Sequence, residues 1–176
     1  MKTRISLLKK YFSASLFLLL FFSVSGIAQI KYAQVGVNGL TCSACTRSVE
    51  MSIRKLDFVK DVQMDLKNTE GKIIFKEGKT VSMEKIAQAV YDAGFSVRYL
   101  KAAFVFDHLS ISEGFTYTFE NSFYQFVGVE TKKLNGEVIL TFLGKKYLDR
   151  KGYKKWEDTL KPSSANANKS VYYVTT

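Results

Sequence analysis

Between Ile30 and Lys101 the hydrophobic period switches repeatedly between that of a strand and that of a helix, and the order of those switches leaves few folds open. Ile30 to Asn38 alternates, with Ala33, Val35 and Val37 on one side, as a half-buried strand does. Ser43 to Leu56 then repeats at helical spacing through Cys45, Val49, Ile53 and Leu56, which puts one apolar stripe against a core. Phe58 to Leu66 returns to alternation through Val62, Met64 and Leu66. Asn68 to Gly71 makes a turn, and Lys72 to Lys76 pairs back as a hairpin. Val81 to Ala93 is a second helix, with Ser82 as its N-cap, Ile86, Ala89, Val90 and Ala93 as its buried face, and Gly94 to stop it. Lys85 stands where a capping box would prefer an acid. Phe95 to Lys101 is the closing strand.

Strand, helix, strand, strand, helix, strand is the split βαβ arrangement of a ferredoxin-like α+β fold, a sheet with both helices on one face. Its expected core is Val35, Val37, Val49, Ile53, Val62, Ile86, Val90 and Val97. Residues 29–101 are therefore expected to make the first domain.

Beyond it the composition turns aromatic. Residues 102–160 are expected to form a mostly β domain of unassigned role, and 161–176 a polar tail. Phe104 to Leu109, Phe115 to Glu120 and Phe123 to Lys132 read as strands. Asn135-Gly136 signals a hairpin before Glu137 to Leu143. Asp149 to Leu160 suits a short helix carrying Tyr153 and Trp156. Pro162 to Ser170 is polar and linker-like, and Val171 to Val174 is apolar enough to pair as a terminal strand.

The opening residues read as a leader instead of fold. Lys2, Arg4, Lys9 and Lys10 precede the apolar run Leu16 to Val24, and Gly26 and Ala28 stand where a signal peptidase expects small residues. Residues 1–28 are thus expected to be a signal peptide cut between Ala28 and Gln29. The alternative is an uncleaved anchor over residues 11–28, but the serines that interrupt it leave it short of the ~20 residues a spanning helix needs. Cleavage would reduce the net charge of +10 by four, to about +6, on a periplasmic or extracellular protein. That charge is modest and comes without a long Lys/Arg block with interleaved aromatics of the nucleic-acid kind, so nucleic acid is not an expected partner.

Both cysteines lie in the segment Gly39-Leu40-Thr41-Cys42-Ser43-Ala44-Cys45, at the entry to the first helix. Two thiols so spaced can clasp one soft metal ion or oxidise to a disulfide. A structural staple is set aside, because a bridge closing so short a loop removes little chain entropy. Cys45 falls in the first helical turn, where unpaired N–H groups and the helix dipole favour a negative charge, and Cys42 on the loop can swing to meet it. Two soft thiolates suit Cu(I) first, and Hg(II) or another soft ion next. Zn(II) normally takes four ligands, and this loop adds no Asp, Glu or His.

Residues Lys31 to Leu100 resemble a heavy-metal-associated domain, the small unit of copper chaperones, copper-pump amino-terminal repeats and periplasmic mercury-binding proteins. The family's Gly-Met-Thr-Cys-x-x-Cys appears as Gly39 to Cys45, and its acid-to-glycine approach to the last strand appears as Asp92-Ala93-Gly94-Phe95. The resemblance implies metal held by Cys42 and Cys45 and passed by ligand exchange to or from a partner such as a copper transporter. It implies no catalysis. Two positions depart from the pattern. Leu40 replaces a Met that, in the resemblance, packs under the loop, so Leu should serve by volume. Phe95 stands where related domains often carry Tyr or Lys, and either shields the site or simply packs in the core.

Two rival functions use the same features. A thiol–disulfide oxidoreductase would employ the same pair, but thioredoxin-like proteins resemble one another in a cis-proline loop facing the cysteines. The single proline here is Pro162, far along the chain, and no Trp precedes Cys42. In the other rival, the metal domain senses or tethers for a protein-binding carboxy-terminal half, which holds no Cys, no Met and one His. Met51, Met64 and Met83 are expected to be packing residues, and His108 a satisfied or exposed side chain. Arg47, Arg54 and Lys55 are expected on a solvated helix face, and Asp107, Glu113, Glu120 and Glu130 facing solvent.

Overall fold

The computed structural model describes residues 29–160 and 170–176. The expected leader, its expected cut before Gln29, the alternative anchor over 11–28 and most of the expected linker after Pro162 lie outside the described residues. No helix among the described residues is long and apolar enough to cross a membrane.

The first half follows the expected order: β1 (Gln29–Asn38), α1 (Ser43–Arg54), β2 (Val59–Asp65), β3 (Glu70–Phe75), α2 (Met83–Asp92) and β4 (Ser96–Ile111). These strands lie in the sequence β2-β3-β1-β4, each antiparallel to its neighbour. Every member of the expected core is at most 3 % exposed. Ser82 caps α2 by accepting from the Lys85 N–H at 3.3 Å. At the other end Gly94, with φ +86°, lets the chain reverse: its N–H reaches the Tyr91 carbonyl and the Phe95 N–H that of Val90. The β2–β3 turn starts earlier than expected, because Asp65 accepts from the Asn68 N–H and β3 begins at Glu70. Leu66 therefore falls past β2 and is 41 % exposed instead of buried.

The second half adds β5 (Thr116–Phe119), β6 (Ser122–Phe126), β7 (Lys132–Leu143), the short helix α3 (Arg150–Lys154) and β8 (Ser170–Thr175). Among the described residues all eight strands join one sheet, in the order β2-β3-β1-β4-β7-β8-β6-β5. The change of composition at residue 102 falls inside β4, which pairs with β1 and β7 as one uninterrupted element. Ala102 and Ala103 mark that stretch and are buried.

Two further expectations are corrected. Asn135-Gly136 does not turn the chain. It lies within β7, opposite the register shift between Phe106 and Leu109, where Gly136 has φ +73° and His108 φ +48°. The positive φ that would serve a hairpin here serves a β-bulge. The segment from Ser170 is not tail: β8 sits inside the sheet, antiparallel to β7 and parallel to β6. In addition, the strand expected over Phe123 to Lys132 ends at Phe126, and the helix expected over Asp149 to Leu160 is regular only over Arg150–Lys154, with Asp149 as its N-cap.

The sheet curls. Phe104 on β4 lies 5.2 Å from Tyr124 on β6 and 6.0 Å from Phe119 on β5, strands that a flat sheet would hold far apart. The edge-to-face rings bury an aromatic core that is continuous with the aliphatic one under α1 and α2. A smaller cluster of Val127, Leu143 and Leu148 carries Trp156 and Tyr153 at its margin. There Gly128, at φ +66°, leaves room for the Trp156 ring, which would lie 2.5 Å from any Cβ.

Candidate metal centre

The cysteine loop is held from below and from both ends. Gly39 turns the chain at φ +88°, with the Phe95 ring 3.6 Å from where its Cβ would stand. Leu40 is 5 % exposed and belongs to the core, so it fills the space the resemblance assigned to Met. Phe95 is half-buried and packs against the same core, which favours packing as its role.

Cys42 is the N-cap of α1, with extended backbone angles of φ −148° and ψ 162°. Its sulfur accepts from the Cys45 N–H at 3.3 Å, and its carbonyl accepts from both the Thr46 N–H and the Thr46 hydroxyl at 3.1 Å. Both cysteines are free thiols, Cys42 exposed and Cys45 half-buried against the core. A hydrogen bond from the Cys45 side chain, followed by one from its backbone, holds the Cys42 thiol below the ordinary cysteine range. The helix end thus acts on Cys42, the capping residue, whereas the spacing alone pointed to Cys45. Among the described residues no His, Asp, Glu or further Cys joins the pair to make a set of three metal ligands.

The other candidates scatter. Met83 is fully buried, Met64 half-buried with its sulfur over Gly71, and Met51 42 % exposed, so no thioether set forms. His108 is exposed, on the bulge, with Nδ1 2.7 Å from Asp107. Arg54 is exposed as expected but not free. It bridges Glu50 and Asp61 at 2.7 Å each, donates to the Val62 carbonyl, and so ties α1 to β2. Arg47 pairs with Glu50 at 3.0 Å, and Lys55 is exposed. Glu113, Glu120 and Glu130 are exposed, though Glu113 accepts from the Val129 N–H and burial raises the Glu120 carboxyl. Thr46 was missed in the sequence, where its position four residues after Cys42 was the available signal for a bond back to that carbonyl.

The heavy-metal-associated domain model matches residues 34–96, from within β1 to the first residue of β4. The periplasmic component of the mercuric transport protein from Pseudomonas fluorescens is 35 % identical over 68 residues, covering 39 % of this chain and 74 % of that protein. Copper-transporting ATPase 1 from Rhizobium meliloti (strain 1021) is 36 % identical over 70 residues, or 40 % of this chain. The chain spans only 8 % of that ATPase. Among solved structures, oxidized MerP from Ralstonia metallidurans CH34 is 30 % identical, with a TM-score of 0.36 over 39 % of this chain and 94 % of that one. This chain belongs to the heavy-metal-associated domain family. Residues beyond 96 lie outside the family match.

Proposed function

We propose that this protein is an exported carrier of a soft metal ion, Cu(I) first and Hg(II) as the alternative, held by Cys42 and Cys45 and handed on by ligand exchange. The observation that carries the reading is the pair itself: two free thiols at the head of α1, with the sulfur of Cys42 capping the helix and held toward its thiolate. A soft ion that accepts two sulfur ligands matches this donor set, whereas Zn(II) would lack two of its usual four ligands. The similarity to the mercuric transport component and to a copper-transporting ATPase supports the metal class and a role in chaperoning or scavenging. Export is supported by the leader pattern of residues 1–28 and by the periplasmic relative. In this reading the partner is a metal donor or acceptor such as a copper transporter, and the pair carries cargo without catalysing a reaction.

Competition of the reduced protein against a Cu(I) chelator of known affinity tests the assignment. One equivalent should bind, and Cys42→Ser or Cys45→Ser should abolish tight binding, since one thiolate cannot hold the ion against competing thiols. Transfer of that Cu(I) to an acceptor domain should proceed without consumption of reductant. Catalytic turnover in an insulin-reduction assay, lost in Cys42→Ser, would replace the carrier reading with an oxidoreductase.

A further inference from the structure

A groove of about 880 Å³ opens between the adjoining ends of β1 and β4 and the segment that carries α3. Asn38 and Ser96 line one side. They are register partners, and their chain neighbours Gly39 and Phe95 are the residues that frame the cysteine loop. The other side carries Lys145, Arg150, Lys151 and Lys154, all exposed. Residues 145–155 hold six cations and one acid. That acid, Asp149, is engaged as the α3 cap, with Oδ1 accepting from the Gly152 N–H at 2.7 Å. Lys146 is drawn off to Glu84. Among the described residues, none of the four cations at the groove forms an ion pair. Glu157 is the remaining carboxylate there.

Four cations against Asp149 and Glu157 leave a net positive charge concentrated in a concavity, the arrangement that focuses a field on an approaching anion. The segment is tied in place: the Tyr91 hydroxyl on α2 donates to the Lys146 carbonyl at 3.4 Å, and the Asp149 N–H donates to the Arg98 carbonyl on β4 at 2.9 Å. The basic wall therefore keeps a fixed relation to the β1–β4 end from which the cysteine loop springs.

We propose that this groove docks a carboxylate-rich segment of the protein with which the chain exchanges metal, an inference that rests on the carrier reading. Charge complementarity names the occupant. A partner that presents thiolates to Cys42 and also an acidic segment to Lys151 and Lys154 would be held in one orientation while the ion passes. The concave shape fits a protein segment better than a planar bilayer, and the apolar lining residues Val97 and Leu148 are themselves buried instead of offered to lipid.

Calorimetric titration of the Cu(I)-loaded full chain with a decaglutamate peptide tests this. Lys151→Glu combined with Lys154→Glu should weaken peptide binding by about tenfold or more, as loss of paired rim charges does. Lys60→Glu combined with Lys79→Glu changes the net charge equally at exposed positions outside the groove and should leave binding within about twofold. Equal weakening by both pairs, or by neither, overturns the proposal. So does tighter binding to phosphatidylglycerol-containing vesicles or to tripolyphosphate than to the peptide. Cu(I) content is measured on the same samples. Failure of the unmodified chain to bind Cu(I) sinks the carrier reading, whereas full Cu(I) loading with no groove-specific peptide binding sinks the groove alone.

Discussion

The Cys42 sulfur and the Cys45 backbone N–H are joined by a 3.3 Å hydrogen bond, so the first metal-ligating candidate is also the residue that starts α1. Helix formation and thiolate formation thereby support each other. Whatever stabilises the first turn of α1 presents an oriented donor to the sulfur, and negative charge on the sulfur strengthens that cap.

Alkylation of Cys42 should follow from this. Its thiol lies below the ordinary value, so the thiolate persists as pH falls, and the reaction midpoint should sit below the ~8.5 of a free cysteine. The Cys45 side chain is the leading cause, so Cys45→Ala should move the midpoint back upward. Peptide mapping of iodoacetamide-treated samples across pH measures both. A midpoint at or above ~8.5 in the unmodified protein would contradict the geometry.

Reduced, chelator-treated protein should keep its native circular dichroism spectrum. Val35, Val49, Ile53, Ile86 and Val90 are all fully buried without any part played by a metal, unlike a zinc finger, whose folding free energy is the metal's. A random-coil spectrum would reject the fold.

Phe104 is fully buried and its ring meets those of Phe106, Phe119 and Tyr124, so Phe104→Ala should cost about 3–5 kcal/mol in chemical denaturation. Because β4 serves both halves and their cores are continuous, loss of helical ellipticity and loss of the near-ultraviolet circular dichroism of the aromatic core should coincide. Separate transitions would show that the halves fold independently.

Gly136 has φ +73° with nothing within 4 Å of where a Cβ would stand, so any penalty there is conformational alone. Gly136→Ala should destabilise by about 1–2 kcal/mol, and Gly136→Asn by less, since Asn tolerates the left-handed region. Thermal or urea unfolding of the two variants gives the comparison, and equal stability of all three proteins would remove the bulge argument.

Much of the first half was legible because its signals are local. Apolar spacing placed α1, α2 and the first three strands, Ser82 and Gly94 marked the ends of α2, and the loop motif isolated Cys42 and Cys45. The second half depends on distant partners. Asn135-Gly136 advertises a positive φ, but whether that makes a turn or a bulge is decided by the opposing β4 residues around His108. A short run such as Val171 to Val174 reads as a strand, yet nothing local puts it between β6 and β7. Similarly, the spacing of the cysteines does not reveal which of them caps the helix, because that depends on backbone angles at Cys42.

The interior position of β8 has a consequence for the order of folding. A chain emerging amino-terminus first, from a ribosome or a translocon, can complete β1 to β4 and both of their helices early, since their pairing partners are already present. The β5–β6 hairpin can form soon after, but its attachment to β7 runs through residues 170–175, which emerge after the other described strands. Until then β6 and β7 each present an unpaired edge, so the nascent molecule passes through an interval in which chaperone capture and edge-to-edge self-association compete for the same two strands.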